Sequence, residues 1–192
     1  METHKIPIIT LGGLPGSGKS TVKRLLVEAL GYQSFSTGDY MRQMAIERGL
    51  TLAEFNDVIA HDKSIDEQLD AEQTRIGAEE QNFVVDAHLG FHFIPHSFKI
   101  LLTVPLEVSA TRIFNDTQST LRQQSGDVSL TYTDALAATE KRIKNHEARY
   151  FKHYSVDLYD ARHYDLVIDT SELTPTEVCE QVVQAYQHWQ SN

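Results

Sequence analysis

One stretch near the start of the chain constrains it more than any other: Ile6-Pro7-Ile8-Ile9-Thr10-Leu11-Gly12-Gly13-Leu14-Pro15-Gly16-Ser17-Gly18-Lys19-Ser20-Thr21. An apolar run enters a glycine-rich loop, and the loop enters a helical pattern. Gly13, Gly18, Lys19 and Ser20 occupy every fixed position of the phosphate-binding loop G-x-x-x-x-G-K-[ST]. The glycines let consecutive peptide N–H groups turn inward as a nest for an anion. The helix that follows directs its positive dipole end at the same point. The segment Gly13, Leu14, Pro15, Gly16, Ser17, Gly18, Lys19, Ser20, Thr21 is therefore expected to hold the phosphates of ATP. Lys19 reaches the β- and γ-phosphates, and the Ser20 hydroxyl ligates Mg²⁺.

The remaining pattern alternates strands with helices. Val22, Leu25, Leu26, Ala29 and Leu30 recur at helical spacing after the loop, and Gly31 is placed to end that helix. Gln33–Ser36 reads as a second strand. Thr37-Gly38-Asp39 then opens a helix with Arg42 in its first turn, where an anion and a base or sugar are within reach. Capping boxes at Thr51-x-x-Glu54 and Ser64-x-x-Glu67 predict two further helices, so about 39–80 reads as a helical insertion rich in acids. The acids read individually as a solvated face. Asn82–Asp86 is an apolar strand ending in a carboxylate, the usual second half of a magnesium–nucleotide site. Lys99–Val104 and Asp165–Asp169 complete the strands, with Pro105 expected at the first helical position after the former. Thr174-Pro175-Thr176-Glu177 starts a last amphipathic helix carrying Val178, Val182, Tyr186 and Trp189. A parallel α/β sheet of about five strands, covered on both faces, follows from this order.

Composition narrows the setting. A chain of 192 residues fits one domain with a real core. No apolar run approaches the roughly 20 residues needed to span a bilayer. A single cysteine, Cys179, on an apolar helical stripe fits a reducing cytoplasm and a buried role. The net charge of −10 argues against a duplex-binding surface and leaves a small anionic substrate possible through local basic clusters. One such cluster is the helix bearing Lys141, Arg142, Lys144, Arg149 and Lys152, on which Arg142 and Arg149 share a face. It follows a stretch from Asp116 to about Leu130 without periodicity, read as a functional loop. His88, His92 and His96 recur every four residues, but Gly90 and Pro95 interrupt the run, so neither a helix nor a zinc site is expected there.

Ser36-Thr37-Gly38-Asp39 is similar to the adenylate kinases. The longer pattern, Glu47-Arg48-Gly49-Leu50-Thr51-Leu52-Ala53-Glu54-Phe55-Asn56, Ile65-Asp66-x-x-Leu69-Asp70, Arg149-Tyr150 and Tyr164-Asp165-Leu166-Val167-Ile168-Asp169-Thr170, resembles the archaeal-type cytidylate kinases, which are P-loop nucleoside monophosphate kinases. The likeness runs from Ile6 to about Val183, with a gap from Asn115 to Ala137.

That resemblance implies one P-loop NTPase-fold kinase domain over 1–192, with the monophosphate-binding insertion at about 39–80 and a lid at about 115–150. It implies transfer of the ATP γ-phosphoryl group to CMP or dCMP with Mg²⁺, in a cytoplasmic monomer acting on small nucleotides and on neither nucleic acid nor membranes. Lys19, Arg142 and Arg149 are the expected catalytic cations. Thr37, Gly38, Asp39, Arg42, His88 and Arg112 are the expected acceptor ligands, and Ser20 and Asp86 the metal ligands. Two departures stand out. Asp86-Ala87-His88-Leu89 replaces the family's Glu-Gly-Arg-Leu, and the lid differs in length and composition. His88 is accordingly expected to donate to the acceptor phosphate when protonated; the alternative is a neutral histidine that packs against the strand end. Another acceptor, such as AMP or a phosphorylated metabolite, and an ATP-binding homologue without catalysis stay open as readings. A GTPase-type switch finds no Asn-Lys-x-Asp motif to read guanine.

Overall fold

The computed structural model describes residues 6–59, 64–116 and 131–191. Among them, five strands form one sheet, every pair of it parallel: β1 (Ile8–Gly13), β2 (Gln33–Ser36), β3 (Phe83–Asp86), β4 (Phe98–Thr103) and β5 (Leu166–Asp169), in the order β2-β3-β1-β4-β5. β1 is central, and all six of its residues are buried, as an apolar strand covered on both faces must be.

Alternation along the strands sorts the core into two layers. Ile9 and Leu11 of β1, Val84 of β3, and Ile100 and Leu102 of β4 pack with Val22 and Leu26 of α1 (Lys19–Leu30) and with Val178, Cys179, Val182 and Tyr186 of the last helix, α8 (Pro175–Ser191). Ile8, Phe83 and Val85 point the other way, onto Ile76 of α4 (Ser64–Glu79) and Ile94. Fully burying each such side chain stabilises the fold by about 1.5–3 kcal/mol. Cys179 lies in the first layer as expected, where burial raises its thiol pKa.

Between β2 and β3 the chain forms α2 (Thr37–Glu47), α3 (Leu52–Ile59) and α4, which close on their own small core of Ala45, Phe55, Ile65 and Leu69. The Thr51 capping box forms: the Thr51 N–H and hydroxyl both donate to the Glu54 carboxylate, and the Glu54 N–H donates back to Thr51 Oγ1 at 3.2 Å. Gly31 caps α1 at φ 68°, in the left-handed region, as its position predicts. Beyond β4, α6 (Leu106–Asn115) packs on α7 (Tyr132–Tyr154), the long helix that carries the basic cluster.

Two expectations need correction. Residues Gly90–Phe93 do form a short helix, α5, because Pro95 falls beyond its C-cap Ile94 and leaves the single turn intact. Pro105 is the N-cap of α6 rather than its first helical residue, with ψ 149°. Most of the segment read as a loop, 117–130, and with it part of the expected lid, lies outside the described residues. Among the described residues no helix is long and apolar enough to cross a membrane.

Candidate active site

The glycine-rich loop leaves the C-terminal end of β1, between two strands that the chain reaches in opposite directions, the place where open parallel sheets bind ligands. Its shape follows from what surrounds it. A Cβ on Gly13 would lie 2.4 Å from the Leu102 carbonyl oxygen, so only glycine lets the loop pass that close to β4. Gly18 takes φ 89° and faces open space. The loop carbonyls are held outward one after another. Ser109 Oγ donates to Pro15 O at 2.6 Å, Arg112 Nη1 to Gly16 O at 3.5 Å, and Thr170 Oγ1 to Ser17 O at 3.2 Å. The Leu14 N–H donates to Leu102 O and the Ser17 N–H to Leu14 O, both at 3.2 Å, so the N–H groups at the start of α1 are the ones that face an anion. Lys19 Nζ folds across the loop, donating to Gly13 O and Leu14 O, both at 2.9 Å.

Arg112 is therefore placed elsewhere than the sequence led us to expect. Its guanidinium donates to Thr170 Oγ1 at 2.9 Å, Thr170 O at 2.6 Å and Ser171 O at 3.2 Å, as well as to Gly16. It ties the turn after β5 to the phosphate loop, where it acts on loop geometry.

Asp86 ends β3, paired in register with Leu11 on one side and Ser36 on the other. It is buried, and burial raises its carboxyl pKa against the opposing charges of Lys19 and Lys23. Ser36 Oγ donates to it at 3.4 Å while also capping α2 through the Asp39 N–H. Thr37 Oγ1 donates to the Asp86 carbonyl at 3.4 Å. Asp39 holds two cations, Lys23 Nζ at 2.9 Å and Arg42 Nη1 at 3.2 Å. Burial acts to raise the Asp39 carboxyl, but these partners bring it below its ordinary range. Lys23 is a site residue that sequence reasoning missed. Its spacing of four from Lys19 was the available signal, since it sets both ammonium groups on one face of α1.

His88 follows Asp86 and is where the structure reverses an expectation. Its ring is buried edge-on against His146 of α7, with centroids 4.5 Å apart and an interplanar angle of 64°, and Tyr150 lies beyond at 6.0 Å. Neither Nδ1 has a hydrogen-bond partner. Burial lowers the His88 pKa well below its ordinary value, and His146, Lys19, Arg142 and Arg149 add to the effect. His146 is pushed down to about 3 by burial and by Arg142, Lys19 and Arg149. Burial, the second histidine and the charges of Lys19, Arg142 and Arg149 all favour the neutral form of the His88 ring, against the expected protonated donor to the acceptor phosphate. His146 also escaped the sequence reading, although it shares a face of α7 with Arg142 and Arg149 at spacings of four and three.

Beside His88 a cavity opens between α2, α4 and α7, lined by Thr37, Met41, Asp66, Leu69, Asp70, Gln73, His88, Tyr150 and Tyr154 among others. Arg149 Nη2 pairs with Asp66, and the Tyr154 hydroxyl donates to Asp70. Burial raises the Asp70 carboxyl pKa, opposed by the Tyr154 hydrogen bond. The site thus brings Lys19, Asp86, His88 and the cavity beside it to one end of the sheet; Thr37 lines that cavity, and Asp39 and Arg42 pair with each other on the neighbouring turn of α2. Arg112 alone of the expected acceptor ligands is engaged on the phosphate loop.

Comparison with known proteins agrees with this geometry. A family profile described as an AAA domain matches residues 12–129. The cytidylate kinase of Methanocella arvoryzae is 38% identical over 165 residues, covering 86% of this chain and 88% of that protein. An S-adenosylmethionine-dependent nucleotide dehydratase of Lacinutrix mariniflava is 36% identical over 180 residues, covering 93% of this chain; the chain spans only 36% of that protein's length. Among solved structures, shikimate kinase from Acinetobacter baumannii superposes with a TM-score of 0.56 at 18% identity, covering 95% of this chain and 94% of that one, which shows a shared fold.

Proposed function

Since this chain belongs to the cytidylate kinase family of P-loop kinases, we propose that it transfers the γ-phosphoryl group of ATP to a cytidine monophosphate, ribo or deoxy. One observation supports the reading: the phosphate loop and the cavity beside His88 flank the Asp86–His88 turn, so a donor phosphate on the loop and an acceptor in the cavity would meet between Lys19 and α7. The residues present fit the donor nucleotide. Gly18 leaves the mouth of the loop open, and the carbonyls of Pro15, Gly16 and Ser17 are held by outside donors. They fit Mg²⁺ as well, because Ser20 and Asp86 offer hard oxygen ligands of the kind that ion takes with phosphate oxygens and water. When bound, Mg²⁺ neutralises charge on the bridging phosphates.

The chain's own part is positioning and charge. Lys19 exchanges the Gly13 and Leu14 carbonyls for phosphate oxygens. Arg42, braced by Asp39, holds the acceptor phosphate. Arg142 and Arg149 bring positive charge from α7 to the transferring group, and enclosure by α7 keeps water from taking the phosphoryl group. The three parts, core, helical insertion and lid, act as one domain, and the protein works as a monomer.

A coupled ADP-release assay with CMP, dCMP, UMP, AMP, GMP and shikimate tests the reading. CMP or dCMP is expected to turn over fastest, and Lys19→Ala is expected to abolish turnover with its melting curve unchanged. ATP binding without transfer to any acceptor would refute the kinase reading.

A further inference from the structure

We propose that Gln73 and Asp70 read the exocyclic amino group of the acceptor's base and thereby set the choice between cytosine and uracil. The inference rests on the acceptor reading above and deepens it. Asp66, Asp70 and Gln73 are spaced four and three apart on α4, share one face, and line the cavity beside His88. Gln73 is 3% exposed. Its Nε2 donates to the Leu69 carbonyl at 3.2 Å, and its Oε1 is buried with no hydrogen-bond partner. The carbonyl of Leu69 only accepts, so turning the amide over would set oxygen against oxygen. The orientation is fixed by that contact, and Oε1 stands as an acceptor awaiting a donor.

A buried acceptor without a donor is unfavourable, and native proteins leave few of them. The cavity is where the donor enters. Its other α4 groups are of the same kind. Asp70 takes the Tyr154 hydroxyl on Oδ2, and its remaining capacity is as an acceptor. Asp66 is engaged with Arg149. An amino nitrogen offers two N–H donors from one atom, which matches two acceptors, Gln73 Oε1 and Asp70. Cytosine presents such a group at C4. Uracil presents an oxygen there, and that oxygen would face a carboxamide oxygen and a carboxylate, leaving the uracil oxygen and Gln73 Oε1 without a donor and setting the carboxylate against a like partner.

The test is equilibrium binding of CMP and of UMP to the full chain, run beside transfer kinetics with both. A bidentate contact of this type discriminates by about 10- to 100-fold, and the wild type is expected to favour CMP by that factor in both measurements. Gln73→Met keeps the side-chain length and removes the acceptor. It is expected to weaken CMP about 10-fold while leaving UMP within about twofold. Asp70→Asn is nearly isosteric: its oxygen still accepts from Tyr154, while its amide nitrogen donates to a uracil O4. It is expected to move the preference toward UMP by about 10-fold, with unchanged melting curves showing that the fold is intact. Equal binding of CMP and UMP by the wild type, or an unchanged ratio in both variants, overturns the assignment. Transfer without base selectivity sinks this inference and keeps the kinase; selective CMP binding that both variants alter, without any transfer, does the reverse.

Discussion

The buried histidine pair makes the stability of this protein depend on pH in a way that can be calculated. In the unfolded chain each histidine takes up a proton near pH 6.5. In the fold His146 resists protonation down to about 3, and His88 is likewise held well below its ordinary value. A base whose folded pKa is depressed loses stability as pH falls below the unfolded pKa, because the unfolded state then binds the extra proton. Integrating the linkage relation from about pH 7 to about pH 5 gives a loss of about 2 kcal/mol for each histidine that stays neutral, or about 4 kcal/mol for the pair. That is a large part of the 5–15 kcal/mol typical of a domain. Urea unfolding at about pH 7, 6 and 5 reads it directly, since the midpoint falls with ΔG at constant slope. His88→Gln and His146→Gln should each remove about half of the dependence, and the double variant should remove all of it. Asp70 and Asp86, whose carboxyls are raised by burial, contribute with the opposite sign, but they do so equally in every variant. The comparison uses slopes, so any fixed effect of a substitution cancels. Parallel stability–pH lines for the wild type and the double variant would show that the pair is not neutral in the fold and would refute the reasoning.

Three further outcomes follow from the same geometry. Arg112→Ala frees the Gly16 carbonyl and the turn after β5; KM for ATP should rise about 10-fold or more while KM for the acceptor stays within about twofold, and the opposite split would return Arg112 to the acceptor phosphate. Gly13→Ala places a Cβ 2.4 Å from the Leu102 carbonyl, so thermal denaturation should show a loss of about 2–4 kcal/mol together with loss of ATP binding; a variant of unchanged stability would mean the loop sits further from β4. Arg142→Ala should lower kcat by about 10³-fold with little change in ATP affinity; a change confined to KM would assign it to ground-state binding.

Much of this site was legible because it is written in local rules. The apolar run, the glycine spacing and Lys19-Ser20 act within one strand–loop–helix unit, and the caps at Gly31, Thr51 and Thr174 act within a single turn. The run Asn82–Asp86 announced a buried strand with a carboxylate at its end because burial on both faces leaves no alternation to read. The resemblance to cytidylate kinases rested on residues of this kind.

What the sequence by itself could not determine was which side chains meet across distance. His88 and His146 are separated by 58 residues, and Asp70 and Tyr154 by 84. Asp66 and Asp70 look like any solvated acidic face until α7 is laid against α4 and sets Arg149 and Tyr154 on them. Arg112 reads as an acceptor-phosphate ligand until the turn after β5 delivers the Thr170 and Ser171 carbonyls to it. The reason is physical: a backbone motif is fixed by torsions and hydrogen bonds among near neighbours, whereas the charge state and partners of a side chain depend on burial, and burial is decided by packing between elements far apart in the chain. The sequence therefore carried the phosphate-loop motif, and tertiary packing alone decided that burial holds the His88 pKa down, that Arg112 donates to the Gly16 carbonyl of that loop, and that an unpaired oxygen of Gln73 lines the cavity beside His88.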